Sequence, residues 1–400
     1  MRVLHVIPGV APRYGGPSTA IGPMVAALNR LPGVTAEIAT TDADGPGRRI
    51  DPALLPAGVP VHLFRRTLSE RWKFSAGLGR WLNRNARNYD LVHIHAVWSF
   101  APAAAGRAAR RAGVPYLVRP AGMLSGYTWG RGAWAKRAYW RLVERATVFG
   151  AAGFHVTSPD EATEVAAVRP GARTFVIPNG VEDAARTVPP DPTALRRRCG
   201  AAAGNRPILL FLSRLHPKKG VADLLLPALA QSAGGAFLAI AGGEDFHAPG
   251  HEAEVRTAIA RLGVRDRVGL LGPVAAAERW NLFDGAAGLV LPSRSENFGI
   301  VVAEAMARGC PVVVTDGVQA KNLVIAAGAG RVVPFDPLAL AAALDELVGR
   351  PELRASLGDA GRRYAAEHLT WHRVADALLS MYHTLLADAG RAPPPRISSV

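Results

Sequence analysis

The sequence predicts an α/β protein built from two doubly wound parallel sheets, and three observations carry that prediction. The chain has 400 residues, more than one hydrophobic core organises comfortably, so two domains are expected. Short, nearly continuous apolar runs alternate with helix-length segments, the rhythm of βαβ units whose strands are covered on both faces. That rhythm breaks once, in a stretch rich in Pro, Gly and charge, and then resumes.

In the first series RVLHVI (2–7), AEIATT (36–41), VHLF (61–64), LVHIH (91–95), PYLVRP (115–120), FHVTS (154–158) and TFVIP (174–178) read as buried strands. Helical segments such as TAIGPMVAALNRL and AAGRAARRAG separate them. The break spans 178–200. The second series comprises PILLFLS (207–213), AFLAIAG (236–242), VGLLG (268–272), AGLVLP (287–292), PVVVT (311–315) and RVVPF (331–335). The expected organisation is a Rossmann-like domain over 1–185 and a second Rossmann-like domain over 200–370, facing across a cleft. A C-terminal helix over 371–390 would pack back on the first domain, and 391–400 reads as a disordered tail.

Hydrophobic residues make up 49% and charged residues 20% of the chain, enough apolar surface for two cores. Two cysteines, Cys199 and Cys310, stand far apart without metal-ligand spacing, which suits a reducing compartment. The first residues read as a strand rather than a signal peptide, and no run reaches the roughly 20 apolar residues that cross a bilayer. A cytoplasmic protein is expected. The net charge is +15, and between Arg65 and Arg145 sixteen Lys or Arg face three acids, a local excess of +13. Six of the eight tryptophans, Trp72, Trp81, Trp98, Trp129, Trp134 and Trp140, share that stretch, so it suits an anionic lipid surface or a polyanionic glycan. An Arg-rich composition with tryptophans in the core is the alternative. Nucleic acid is disfavoured because no recognised binding motif accompanies the charge.

The chemistry concentrates in two segments. In SRSENFGIVVAEAMARGCPVVVT (293–315) a strand ends, a polar loop follows, and a helix is expected to begin near Asn297. Glu296 stands at its mouth, where unpaired N–H groups and the helix dipole favour anions. Glu304 lies among Val301, Val302, Ala303, Ala305 and Met306, where a carboxylate needs a hydrogen-bonding partner such as a ribose diol. Taken singly, Glu296 could be a helix cap and Glu304 a solvated helix position. The other segment, FLSRLHPKKG (211–220), puts Arg214 and Lys219 around a Pro turn at a strand end, and the pair suits a diphosphate or plain surface. Ser158-Pro159-Asp160-Glu161 reads as a helix capping box.

Together these segments resemble the family-4 retaining glycosyltransferases of the GT-B fold. The family's Glu-x7-Glu pattern is similar to Glu296 and Glu304 in their context. Its Gly-Arg-Leu…Lys-Gly segment is similar to Ser213-Arg214-Leu215…Lys219-Gly220, with Ser for the usual Gly. YGGPS (14–18), DLVHIHAVWSF (90–100), IPNGV (177–181), AGGEDF (241–246) and LLGPV (270–274) follow in family order, and the likeness runs from Met1 to about Leu386.

The resemblance implies that Arg214 and Lys219 hold the donor diphosphate and Glu304 the ribose. Glu296 would meet the transferred sugar, with backbone N–H groups of Asn297, Phe298 and Gly299. Gly15, Gly16 and Gly243 would line the donor site, and the base would lie near Pro273 and Val274. Where many family members carry His-Gly, this chain has Ala121 in VRPAGML, which makes His95 and Arg119 the catalytic candidates in its place. The implied reaction is a retaining transfer of a hexose-type sugar, without metal or cofactor. It would run from a UDP- or GDP-sugar to a glycan or lipid-linked acceptor in bacterial polysaccharide and cell-envelope biosynthesis. An anionic membrane at the inner face of the plasma membrane is a candidate partner. The competing expectations are a catalytically impaired sugar-nucleotide-binding scaffold and a GT-B-type sugar-nucleotide epimerase.

Overall fold

The computed structural model describes residues 1–130 and 133–391, and the tail 392–400 lies outside the described residues. Two compact units form, one from 1–180 with the chain from Trp371 onward, the other from Val181–Thr370. The first holds a seven-stranded parallel sheet of β1 (Arg2–Val6), β2 (Thr35–Thr41), β3 (Val61–Phe64), β4 (Leu91–His95), β5 (Tyr116–Arg119), β6 (Gly153–Val156) and β7 (Thr174–Val176). Its strand order is β3-β2-β1-β4-β5-β6-β7. The second holds β8 (Ile208–Leu212), β9 (Phe237–Ala241), β10 (Val268–Gly272), β11 (Gly288–Leu291), β12 (Val312–Thr315) and β13 (Gly330–Val333), ordered β10-β9-β8-β11-β12-β13. Every strand expected from the apolar runs is present. Order reverses between β1 and β4 and again between β8 and β11, and in such sheets ligands sit beyond the strand ends at those reversals.

The chain divides at Gly180–Val181, near the start of the Pro- and Gly-rich break at 178–200. Val181 donates its N–H to Leu369 O (2.7 Å), and Val181, Ala185 and Leu195 are buried in the second core. Local composition marked 178–200 as a linker, but its apolar side chains found a core to cover. The helix Trp371–Asp388 buries Trp371, Val374, Ala375, Leu378, Met381, Tyr382, Leu385 and Leu386, a helical stripe that packs on the helix Gly16–Leu28 of the first unit.

The first sheet has an unusual interior. Register pairs His5 on β1 with His93 on β4, and His95 with Arg119 on β5. His5 Nδ1 lies 3.0 Å from His95 Nε2, His155 Nδ1 3.3 Å from His93 Nε2, and Tyr382 Oη 2.8 Å from His93 Nδ1. All four histidines are fully buried. Burial, reinforced by Arg119 beside it, pushes His5 down to about 3, and burial likewise drives His93, His95 and His155 well below the ordinary imidazole range. Arg119 itself is lowered to about 10 by burial, so at neutral pH it is the cation of this layer and the histidines are neutral.

The unfolded chain takes up the histidine protons near pH 6.5 and the folded one does not, so acid drives unfolding. Each such histidine contributes about 1.4 kcal/mol per pH unit below that point. The melting temperature of the first unit is expected to fall steadily between pH 7 and 5, and His5→Asn to show a shallower slope. Scanning calorimetry across that range checks it.

Candidate functional site

In the second unit the site begins with the chain leaving β8. Ser213 takes the carbonyl of Ala241 (3.1 Å), Leu215 that of Gly243 (2.8 Å), and Asp245 returns an N–H to Leu215 O (3.0 Å). The loop after β9 therefore runs as a short brace beside the loop after β8. Only glycine fits at 242, because a Cβ there would stand 1.9 Å from Ser213 O. The brace delivers Asp245, itself buried, to Arg214, with Nη1 2.8 Å from Oδ2.

Next, Pro217 opens a tight turn over Pro217–Lys219, with His216 Nδ1 accepting the Lys218 N–H at 3.0 Å. Gly220 leaves the turn at φ 71°, and a Cβ there would lie 2.1 Å from Pro292 O at the end of β11. Arg294 N–H donates to Lys218 O (2.8 Å), which ties the two strand-end loops together. Lys219, now buried, points at Glu296 and makes an ion pair with its Oε2.

Glu296 is held from its own side by backbone. Its N–H donates to Gly317 O and its carbonyl accepts from Gln319 N–H, each at 3.0 Å. The helix therefore starts at Ile300, later than the expected Asn297, since Gly299 turns the chain at φ 64° after the Glu296 segment has paired with Val318. Burial opposes ionisation of Glu296, but Lys219, then Lys218 and Arg214, outweigh it and hold the carboxylate down to about 2. Phe298 is 4% exposed and anchors the loop in the core. Glu296, just before the helix Ile300–Ala307, thus stands among three cations, a cradle suited to a phosphorylated ligand.

Glu304 lies further along that helix and is buried. Its Oε1 lies 3.0 Å from Arg279 Nη2, yet burial still raises it to about 7, with Arg279 opposing and Glu182 reinforcing the rise. The loops after β9 and β10 touch where a Cβ on Gly243 would meet Pro273 Cγ at 3.1 Å, and Val274 packs against the core. The chain's tertiary structure thus gathers Arg214, Lys219, Glu296 and Glu304 in one unit and adds Asp245, Lys218, Arg279 and Glu182, which the sequence reading passed over. Asp245 stood inside a quoted segment; Arg279 carried no local signal.

In the first unit Gly15 follows β1 at φ 87°, and the helix begins at Gly16. Ala96, Trp98 and Ala121 all occupy the left-handed region at the ends of β4 and β5, the kind of strain that collects at functional loops. Ser158 Oγ caps its helix by accepting from Glu161 N–H (3.0 Å), as the capping-box reading expects. The Glu161 carboxylate goes further and accepts Gly122 N–H (2.7 Å), which steadies the Ala121 loop.

His95 and Arg119 do stand at strand ends, but each is 1% exposed. Their side chains turn into the histidine layer, His95 to His5 and Arg119 Nη2 to Asn179 Oδ1 (2.5 Å), so they present no surface to a sugar in this structure. Among the described residues His5, His93 and His95 hold ligand atoms within 4.8 Å of one another. The neighbouring Arg119 cation, whose charge lowers their basicity, makes them poor metal ligands.

Comparison with known proteins places these features in company. Residues 196–364 match the model described as glycosyl transferases group 1, and residues 15–180 match the glycosyl transferase 4-like domain. The D-inositol 3-phosphate glycosyltransferase of Xylanimonas cellulosilytica is 31% identical over 382 residues, covering 90% of this chain and 87% of that one. The enzyme of the same name from Geodermatophilus obscurus is 35% identical over 240 residues, 56% of this chain and 50% of its own. The crystal structure of Anabaena Alr3699/HepE in complex with UDP and glucose superposes with a TM-score of 0.76 at 22% identity, over 95% of this chain and 99% of that one.

Gly220, like Gly242, is a position where the cradle has no room for a single methyl. Gly220→Ala is expected to cost on the order of 1–3 kcal/mol from its left-handed backbone alone, with the clash against Pro292 added. Chemical denaturation of the variant measures it; unchanged stability would mean that the two loops are not locked together.

Proposed function

Since the chain belongs to the glycosyl transferases of group 1 and is a glycosyltransferase of GT-B fold, we propose that it moves a hexose-type sugar from a UDP- or GDP-sugar, with retention, to a glycan or lipid-linked acceptor of the cell envelope. The observation that carries this reading is the Lys219–Glu296 pair flanked by Arg214, set where strand order reverses between β8 and β11. Arg214 offers a planar fork and Lys219 a point charge to the two phosphates, and the start of the helix at Ile300 adds partial positive charge. These groups stabilise the departing diphosphate without a metal ion. The acceptor hydroxyl attacks on the face the diphosphate leaves, while the Glu296 carboxylate faces the positive charge that develops on the sugar. Glu304 receives the ribose hydroxyls. The Anabaena neighbour's complex with UDP and glucose supports this choice of donor class. Ala121, with His95 and Arg119 turned inward, is what favours a binding scaffold instead, and turnover decides between the two.

A surface in the first unit supports a membrane-linked acceptor. The helical stretch from Ala133 to Phe149 exposes Trp134 and Leu142 at 82% and Phe149 at 41%, with Arg137, Arg141 and Arg145 exposed on the same side. The neighbouring helix Phe100–Ala112, held to it by Arg110 donating to Ala146 O (2.9 Å), exposes Arg107 and Arg111. The three acids of this region are withdrawn: Glu70 pairs with Arg66 and Lys73, Asp90 accepts Arg2 N–H at 2.7 Å, and Glu144 is buried. Of the six tryptophans in the basic stretch, Trp72, Trp81, Trp98, Trp129 and Trp140 pack against other rings, so Trp134 carries the surface reading. No helix among the described residues is long and apolar enough to cross a membrane.

Two measurements test these readings. Lys219→Ala is expected to weaken UDP or GDP binding about ten- to a hundredfold, a loss of roughly 1.5–3 kcal/mol, and to leave nucleoside binding unchanged. Glu296→Gln is expected to lower turnover far more than nucleotide affinity; normal turnover in that variant removes Glu296 from the reaction.

For the surface, the protein is expected to sediment with anionic phosphatidylglycerol vesicles at low salt and to be released at high salt. Each Arg contributes about 1 kcal/mol at the surface. A Trp134→Ala, Leu142→Ala variant should lose the interaction. Failure of the parent protein to pellet at low salt overturns the assignment.

A further inference from the structure

Arg279 opens the helix Arg279–Asp284 and is positioned by Trp280, a 2% exposed side chain whose ring lies 4.4 Å from the guanidinium carbon. Its Nη2 serves two carboxylates from distant parts of the second unit. Glu304 Oε1 stands at 3.0 Å and Glu182 Oε1 at 2.7 Å. Glu304 is the buried partner and Glu182 the exposed one, with 10% and 44% of their side chains accessible. Arg279 Nε is buried with no partner among the described residues, so this side chain is not saturated by the contacts it makes.

Charged groups on the elements that pack against the helix of Glu304 are engaged elsewhere. On its own helix's end Arg308 pairs with Asp284; on the helix Ala184–Thr187 Arg186 pairs with Asp183. On the helix Pro351–His368 Arg362 pairs with Asp359, and β11 and β12 bring no charged side chain. Arg279 is thus the cation in contact with Glu304, and Glu182 is the acid that shares it.

We infer that Arg279 is a positioning residue for the donor, holding the Glu304 carboxylate ionised and oriented for two ribose hydroxyls, and that Glu182 limits this by drawing on the same guanidinium nitrogen. The inference rests on the reading that Glu304 receives the ribose. An ionised carboxylate accepts from both hydroxyls of a diol with charge-assisted bonds, whereas a protonated one keeps a hydrogen of its own on one oxygen. Burial raises Glu304 to about 7, which places this balance near neutral pH. Removing Arg279 moves the balance towards the protonated form, and removing the Glu182 charge moves it the other way.

The test is calorimetric titration of the full chain with UDP and GDP between pH 6 and 9, alongside the 2′,3′-dideoxy nucleotides. Arg279→Ala is expected to weaken the ribonucleotide about tenfold at pH 7, with the deficit shrinking towards pH 9 where Glu304 ionises unaided. Arg279→Lys should recover part of it. Glu182→Gln should bind a few-fold more tightly below pH 7 and show a flatter profile. None of these variants should change dideoxynucleotide binding, whereas a merely structural loss would weaken both ligands alike at every pH. If Arg279→Ala fails to fold, Arg279→Lys and Glu182→Gln carry the same comparison. Parent-like ribonucleotide binding and pH profile in Arg279→Ala, with Glu304→Ala impaired, overturns the inference alone. Parent-like binding in Glu304→Ala overturns the ribose reading with it.

Discussion

The buried ion pair between Lys219 and Glu296 is the constraint around which the second unit's strand ends are built. Removing one member of such a pair leaves an uncompensated charge and costs about 3–5 kcal/mol, so both must arrive together. Lys219 comes from the loop after β8 and Glu296 from the loop after β11, two strands adjacent in the sheet and far apart in sequence. Their meeting demands close backbone approach. Gly220 allows it against Pro292, and Gly317 allows it against Arg294, whose carbonyl would lie 2.4 Å from any Cβ there. The pair in turn keeps the carboxylate ionised and aimed before any ligand arrives, so little reorganisation is left for binding.

The first unit has the same winding and a different interior. Its central strands carry His5, His93, His95, Arg119 and His155 inward, and the C-terminal helix supplies Tyr382 to the layer. Hydrogen bonds between neutral imidazoles and to backbone, such as His155 Nε2 with Ile177 O at 2.9 Å, satisfy part of this layer, while His95 Nδ1 and Arg119 Nε and Nη1 have no hydrogen-bond partner among the described residues. One consequence is architectural: a helix from the end of the chain is joined to strands from its beginning by polar contacts as well as by its apolar stripe. The other is that strand-end side chains otherwise available to a ligand are withdrawn, and the left-handed turns at Ala96, Trp98 and Ala121 are left to present backbone.

The contrast between what could and could not be read in advance follows contact range. All strands were legible because a parallel sheet covered on both faces demands continuous apolar runs such as PVVVT and AFLAIAG. The capping box at Ser158 was legible because its donor and acceptor lie within one turn. The beginning of the helix at Ile300 was not, since what delays it is pairing of the Glu296 segment with Val318, a strand-like bridge from beyond β12. Five tryptophans that suited a surface are half-buried against other rings, because composition says which residues interleave and not which way they point.

The sequence by itself determined the two sheets and the family-like segments, and the resemblance those segments carry singled out Arg214, Lys219, Glu296 and Glu304 as candidates. The sheets rest on periodicity and the segments on short runs of residues, information that the chain carries locally. The tertiary structure decided which of them share a partner: Lys219 with Glu296, Arg214 with Asp245, and Glu304 with Arg279 and Glu182. It also decided that His95 and Arg119 serve the core. The reason is that a buried charge has no preferred partner until the sheet has assembled, and only then does the cost of leaving it unpaired select among the side chains brought within reach.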